Sequence, residues 1–147
     1  IHVIGRVSIS SWYPKFYMSM IVKYVTEKHP VSEDLAHMAT PMTPFHEDFL
    51  KVDADVLMKN NMDSIDKFDK FMFRLSNGQY RLPTLFKKYL KLNGKFLCFN
   101  VDPDFNDTLD CLLFLTCTDF PEDEVMPLFR DCSDEEKEIV RKRFGYI

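Results

Sequence analysis

Leu82 to Asp119, LPTLFKKYLKLNGKFLCFNVDPDFNDTLDCLLFLTCTD, leaves the chain little freedom of fold. Pro83 suits a first helical turn, where its missing N–H costs nothing. Leu85, Phe86, Tyr89, Leu90 and Leu92 recur at helical spacing, and Lys87, Lys88 and Lys91 fall on the opposite side. Gly94 is expected to stop this helix as a left-handed cap. Phe96 to Val101 then reads as a short strand, largely apolar on both faces. The polar turn Asp102-Pro103-Asp104-Phe105-Asn106-Asp107 follows, and Cys111 to Thr118 reads as a Leu-rich strand covered on both sides. A helix followed at once by two strands and a tight turn excludes an all-helical bundle and predicts an α+β domain.

The rest of the chain supplies more of both elements. His2 to Ser10 alternates Val3, Gly5, Val7 and Ile9 against Ile4, Arg6 and Ser8, as a strand does, with apolar groups on both faces like an interior strand. Pro14 opens a helix to about Lys28, and Pro30 ends it. Ser32 can begin a short helix towards Met38, and Pro41 and Pro44 force an extended passage. His46 to Lys59 predicts one or two short helices. Asp63 or Ser64 caps a helix carrying Ile65, Phe68, Phe71, Met72 and Leu75, closed by Asn77-Gly78. Pro121-Glu122-Asp123-Glu124 places acids at a helix start. Ser133 and Glu136 have capping-box spacing ahead of a last helix that stops at Gly145.

With 147 residues the chain is read as a single domain, residues 1–147, burying roughly 70% of its unfolded surface. A net charge of −4 argues against a nucleic-acid partner. The charge is unevenly placed: Arg81 to Lys95 holds five basic residues and no acid, whereas Asp102 to Glu124 holds eight acids and no base. Two solvated faces explain this, and so does a basic docking strip of Lys87, Lys88 and Lys91 for an acidic partner. Cys98, Cys111, Cys117 and Cys132 contain no C-x-x-C pair and read as reduced structural thiols of a cytoplasmic protein. No apolar run approaches the length of a membrane span, which leaves room for peripheral contact with the inner membrane.

Several site readings fail on spacing. Asp102-x-Asp104-x-Asn106 suggests a calcium loop, but Asp107 and Leu113 stand where an EF-hand needs Gly and Glu. The residues suit a turn whose side chains bond the backbone, or a substrate-binding role for one of its acids. His2, His29, His37 and His46 form no H-x-x-x-H pair, so no metal site is expected. No G-x-S-x-G elbow and no Gly-rich phosphate loop occurs.

Three stretches carry a resemblance. Leu82, Pro83, Leu85, Lys87, Tyr89, Leu90, Leu92, Lys95, Asp102, Phe105 and Asp119 fall on a pattern of the bacterial haemolysin-named family. That family groups with ornithine-lipid and glycine-lipid type N-acyltransferases. Gly5-Arg6-Val7-Ser8-Ile9-Ser10, with Tyr13 after it, is similar to the family's F-G-x-V-S-I-S strand. Thr40-Pro41-Met42-Thr43-Pro44 is similar to its T-P-M-x-P. Thr84 and Lys88 depart from the pattern.

The resemblance covers Val3 to about Asp119 and implies a partial GNAT-like mixed sheet of three or more strands flanked by helices, related to acyl-homoserine-lactone synthases. It implies transfer of a fatty acyl group from acyl carrier protein, or from acyl-CoA, to the amine of an amino acid. Ser8, Ser10, Tyr13 and Asp102 are then candidates for substrate binding, and Lys87, Lys88 and Lys91 for docking of the carrier protein. The family's donor-binding strand would precede Ile1. The expectation is therefore a piece of a longer enzyme: an acceptor-side half, inactive alone, with no cofactor of its own and no catalytic residue assigned. A homodimer formed through an unpaired first strand is compatible with this. The competing expectation is a non-catalytic GNAT-like module that docks acyl carrier protein or a fused acyltransferase.

Overall fold

The computed structural model describes residues 1–147. In chain order the elements are β1 (His2–Ile9), α1 (Lys15–Lys28), α2 (Glu33–Ala36), α3 (Ala54–Met58), α4 (Ile65–Leu75), α5 (Thr84–Lys91), β2 (Lys95–Asp102), β3 (Thr108–Thr116), α6 (Glu122–Val125) and α7 (Asp134–Phe144). The chain is α+β, with a three-stranded sheet in the order β1-β3-β2. Both pairings are antiparallel, so the expected mixed sheet is not formed.

The local signals mostly act as the sequence predicts. Ser32, Ser64 and Ser133 cap their helices by accepting from Leu35, Lys67 and Glu136 backbone N–H groups, and Glu136 completes the capping box on Ser133. Between His46 and Lys59 only α3 forms. The α5 terminus departs from expectation. Asn93, not Gly94, takes the left-handed conformation, at φ 59°. Gly94 is required for space: a Cβ there would lie 2.7 Å from the Tyr89 carbonyl oxygen and 3.0 Å from Leu113.

The sheet has one dry face. Val7, Ile9, Phe96, Leu109, Cys111, Leu113 and Leu115 are buried on it. They join Met18, Met20, Ile21, Val22, Tyr24 and Val25 of α1, Phe68 and Met72 of α4, and Phe86 and Leu90 of α5 in one continuous core. Stacked rings lock these layers together, Tyr24 on Phe68 at 4.3 Å and Phe86 on Phe96 at 4.5 Å. Along β3, buried and half-exposed residues alternate from Thr108 to Thr116. The strand expected to be covered on both sides is covered on one. Asp110, Leu112 and Phe114 look outward, because successive side chains of a pleated strand point to opposite faces.

The two edges of the sheet differ. On β2, Val101 N–H donates to the Thr43 carbonyl at 2.8 Å, Phe45 N–H donates to the Phe99 carbonyl at 3.3 Å, and Pro44 bridges Asn100. The extended Pro41–Pro44 passage thus covers that edge. β1, expected to be interior, is the other edge strand; it pairs with β3 alone, with Val3 and Ile4 exposed.

Candidate functional site

β1 ends at Ile9, and a tight turn of Ser10 to Tyr13 delivers the chain to α1. Tyr13 N–H donates to the Ser10 carbonyl at 3.0 Å, and Trp12 N–H donates to Ser10 Oγ at 3.2 Å. The β2–β3 turn approaches from the neighbouring strands. Its Asp102 carboxylate accepts from Asp104 N–H at 3.1 Å, and Asn106 and Asp107 are both left-handed. Asn106 Nδ2 donates to Ser11 Oγ at 3.1 Å, tying the two turns together.

Between these turns and the Pro44–His46 segment lies a cleft of about 650 Å³. Its apolar lining comes from Met18, Phe45, Val101 and Leu109. Ser11, Tyr13, Lys15, His46, Asn106 and Asp107 supply its polar groups. The start of α1 opens here with Pro14 as N-cap, no side-chain cap and no acid in its first turn. Lys15 has no ion-pair partner. Positive helix-end polarity and one free ammonium therefore face the cleft beside the Asp107 carboxylate.

The sheet separates the expected site residues. Tyr13 lines the cleft, with its hydroxyl donating to the Arg81 carbonyl at 2.7 Å. Burial, with the nearby Asp69 and Tyr80, raises its pKa above that of an ordinary phenol. Ser10 holds the turn rather than the cleft wall, a place taken by Ser11. Ser8 is on the outer face of the sheet, donating to Asp110 Oδ1 at 2.6 Å. Asp102 caps its own turn. The expected cluster of Ser8, Ser10, Tyr13 and Asp102 is thus not assembled. The physical cause is the period-two alternation of β1, which sends Ser8 away from Ile9 and the cleft.

The lysine strip is also divided. Lys87 Nζ lies 2.9 Å from Asp69 Oδ2 and 3.0 Å from Asp66 Oδ1, and Lys91 lies 3.6 Å from Asp66. Lys88 alone is free. Asp69, 2% exposed, also accepts from Leu82 N–H at 2.8 Å and Arg81 at 3.1 Å. Burial pushes its carboxyl pKa up, but the bonds from Lys87, Leu82 and Arg81 outweigh that and hold it below the usual carboxylate range. This cluster pins α4 to α5. No group of three or more His, Cys, Asp or Glu side chains gathers to hold a metal ion, and the four cysteines are unpaired.

No known family model matches the chain. Comparisons with curated proteins and with solved structures find no match either.

Sequence reasoning gave no site role to Lys15 and His46, and read Asn106 and Asp107 only as parts of the polar turn. A detectable signal existed for one pair: Asn and Asp are the residues that most readily tolerate positive φ, so Asn106-Asp107 marks a tight strand connection. Nothing in the sequence placed His46 in one cleft with the β2–β3 turn.

Proposed function

We propose that this chain forms the acceptor side of a GNAT-like N-acyltransferase, in which a fatty acyl group passes from a carrier-protein thioester to the amine of an amino acid. The observation that carries the reading is the two-sided chemistry of the cleft. Met18, Phe45, Val101 and Leu109 suit an alkyl chain, whereas Lys15, His46 and the exposed start of α1 suit a carboxylate head group. The resemblance of the Gly5–Ser10, Thr40–Pro44 and Leu82–Asp119 stretches supplies the reaction class.

In that reaction a neutral amine attacks the thioester carbonyl, the C–N bond forms, and the carrier thiol leaves. The amine must lose a proton, and the tetrahedral oxyanion needs hydrogen-bond donors. Asp107 is the carboxylate of the cleft, and the α1 backbone N–H groups are donors. Tyr13 orients the cleft wall through its bond to Arg81. Acyl-CoA serves equally as donor in this chemistry.

Calorimetric titration with a medium-chain N-acyl amino acid tests the reading. Saturable binding is expected, with no heat from the free amino acid at the same concentration. Lys15→Glu should weaken the binding by about fivefold, the scale of a solvent-facing charge pair. Absence of binding, or equal binding by Lys15→Glu, refutes the cleft assignment.

A further inference from the structure

The lining of the cleft is sorted by depth. Its polar residues Lys15, His46, Asn106 and Asp107 are exposed, and its apolar walls Phe45 and Val101 are half-buried. Two lining residues are closed to solvent: Met18, 6% exposed, and Leu109, 0% exposed. Both belong to the continuous core. The charged groups therefore stand at the mouth, and Met18 with Leu109 forms the floor. Behind that floor the space is filled, since Leu109 is paired across the sheet with Ile9 on one side and Val101 on the other, and Ile9 is itself fully buried.

The floor lies close to the mouth. Lys15 and Met18 are three residues apart on α1, so they share one face of the helix and are separated by about 4.5 Å of axial rise. A ligand whose carboxylate meets Lys15 reaches Met18 within a short run of methylenes. The walls are also pinned. Ser19, 0% exposed, donates to the Lys15 carbonyl at 2.8 Å and accepts from Asp48 N–H at 2.8 Å, which holds the segment after His46 against α1. Phe45 N–H ties the same segment to the Phe99 carbonyl of β2, and Asn106 ties the β2–β3 turn to Ser11. A pinned cleft with a packed floor discriminates by size, because its lining does not shift freely to admit more atoms.

We propose that Met18 sets the longest acyl chain the cleft accepts, with the carboxylate of the ligand at the mouth and the end of its alkyl tail on Met18 and Leu109. The proposal deepens the acyl-transfer reading and rests on it. The ligand class is a single-chain N-acyl amino acid of limited length. Until the tail reaches the floor, each methylene moves from water to an apolar lining, which raises affinity by about fourfold. Beyond it, a further carbon must push into packed core or fold back towards the mouth, and the gain stops. Met18 is the residue to vary, because Leu109 is held in the central strand between two neighbours, whereas Met18 reaches the cleft from a helix face with an unbranched side chain.

A homologous series of N-acyl glycines, from butanoyl to hexadecanoyl and kept below their micelle concentrations, provides the test by calorimetric titration of the full chain. Affinity should climb by about fourfold per methylene and then level off or fall within the series. Met18→Ala should move that break to chains about three carbons longer, the number of heavy atoms that alanine lacks beyond Cβ. Met18→Leu, a volume-conserving exchange that cores tolerate well, shortens the unbranched reach by one atom and should move the break by about one carbon in the same direction. It carries the test if the alanine variant does not fold. Met72→Leu, at a buried methionine of α4 outside the cleft, should leave the break in place. An unbroken climb to hexadecanoyl in the unaltered chain, or a break at the same length in both Met18 variants, overturns the role of Met18 and leaves the acyl-binding cleft standing. Absence of binding at every length in the unaltered chain overturns both.

Discussion

Asp69 shows how one buried charge organises two helices. It is almost fully enclosed, yet its oxygens accept from Leu82 N–H, Arg81 and Lys87. Asp69→Asn should destabilise the fold by about 1–3 kcal/mol, the cost of weakening a buried charge-assisted set; chemical denaturation measures it. Because the folded pKa of Asp69 is depressed, its stabilisation is fully present above the unfolded value of about 4 and disappears as pH falls through the folded value. Asp69→Asn should therefore flatten the acid limb of a stability–pH curve, and an unchanged limb would remove Asp69 from the account. Lys88 behaves differently. If carrier protein docks on α5, Lys88→Glu should weaken the docking at low salt and leave stability unchanged. Lys87→Glu should cost stability, because it places a carboxylate against Asp66 and Asp69.

β1 is the element with the most unfinished chemistry. It is eight residues long, its pairing with β3 is unbroken from His2 to Ile9, and its far edge has no strand beside it. β2, by contrast, has a register irregularity between Phe96 and Cys98 and the Thr43–Phe45 segment along its edge. Natural sheets blunt edges in these ways to prevent pairing between chains. Light scattering over a concentration series should therefore show association, and Ile4→Lys, a charge on the exposed edge strand, should reduce it. A monomer at high concentration, with all β1 amides slow to exchange hydrogen, would mean that another element already satisfies the edge. Gly94 is a second element-level constraint. Gly94→Val should displace α5 from β3, because the nearest obstacle is the Tyr89 backbone carbonyl at 2.7 Å, which cannot rotate away; a drop in thermal midpoint and loss of the Phe86–Phe96 stack by NMR would report it.

Taken whole, the molecule is a one-sided sheet with α1, α3, α4 and α5 contributing to the core on its dry face and its cleft at the end where β1 meets α1. No helix is long and apolar enough to cross a membrane. In the proposed reading the chain alone binds an N-acyl amino acid without turning over. Steady release of thiol from acyl carrier protein thioesters above background, in the presence of amines, would show instead that the chain is catalytically self-sufficient.

Much of this was legible in short-range pattern. The helix caps at Ser32, Ser64 and Ser133, the stripe of α4, the extended Pro41–Pro44 passage and the helix–strand–turn–strand order of Leu82 to Asp119 follow from interactions within a few residues of chain. The alternation in β1 was legible too, including its consequence that Ser8 and Ile9 face opposite ways. Long-range pairing settled the rest. A strand's sequence does not say which neighbour it has, so β1 read as interior and stands at an edge. Lys87 read as free because its partners, Asp66 and Asp69, lie on a different helix. The cleft joins Ser11, His46 and Asn106, residues far apart in the chain, and the register of β1 and β2 on β3 is what brings their turns to one end of the sheet.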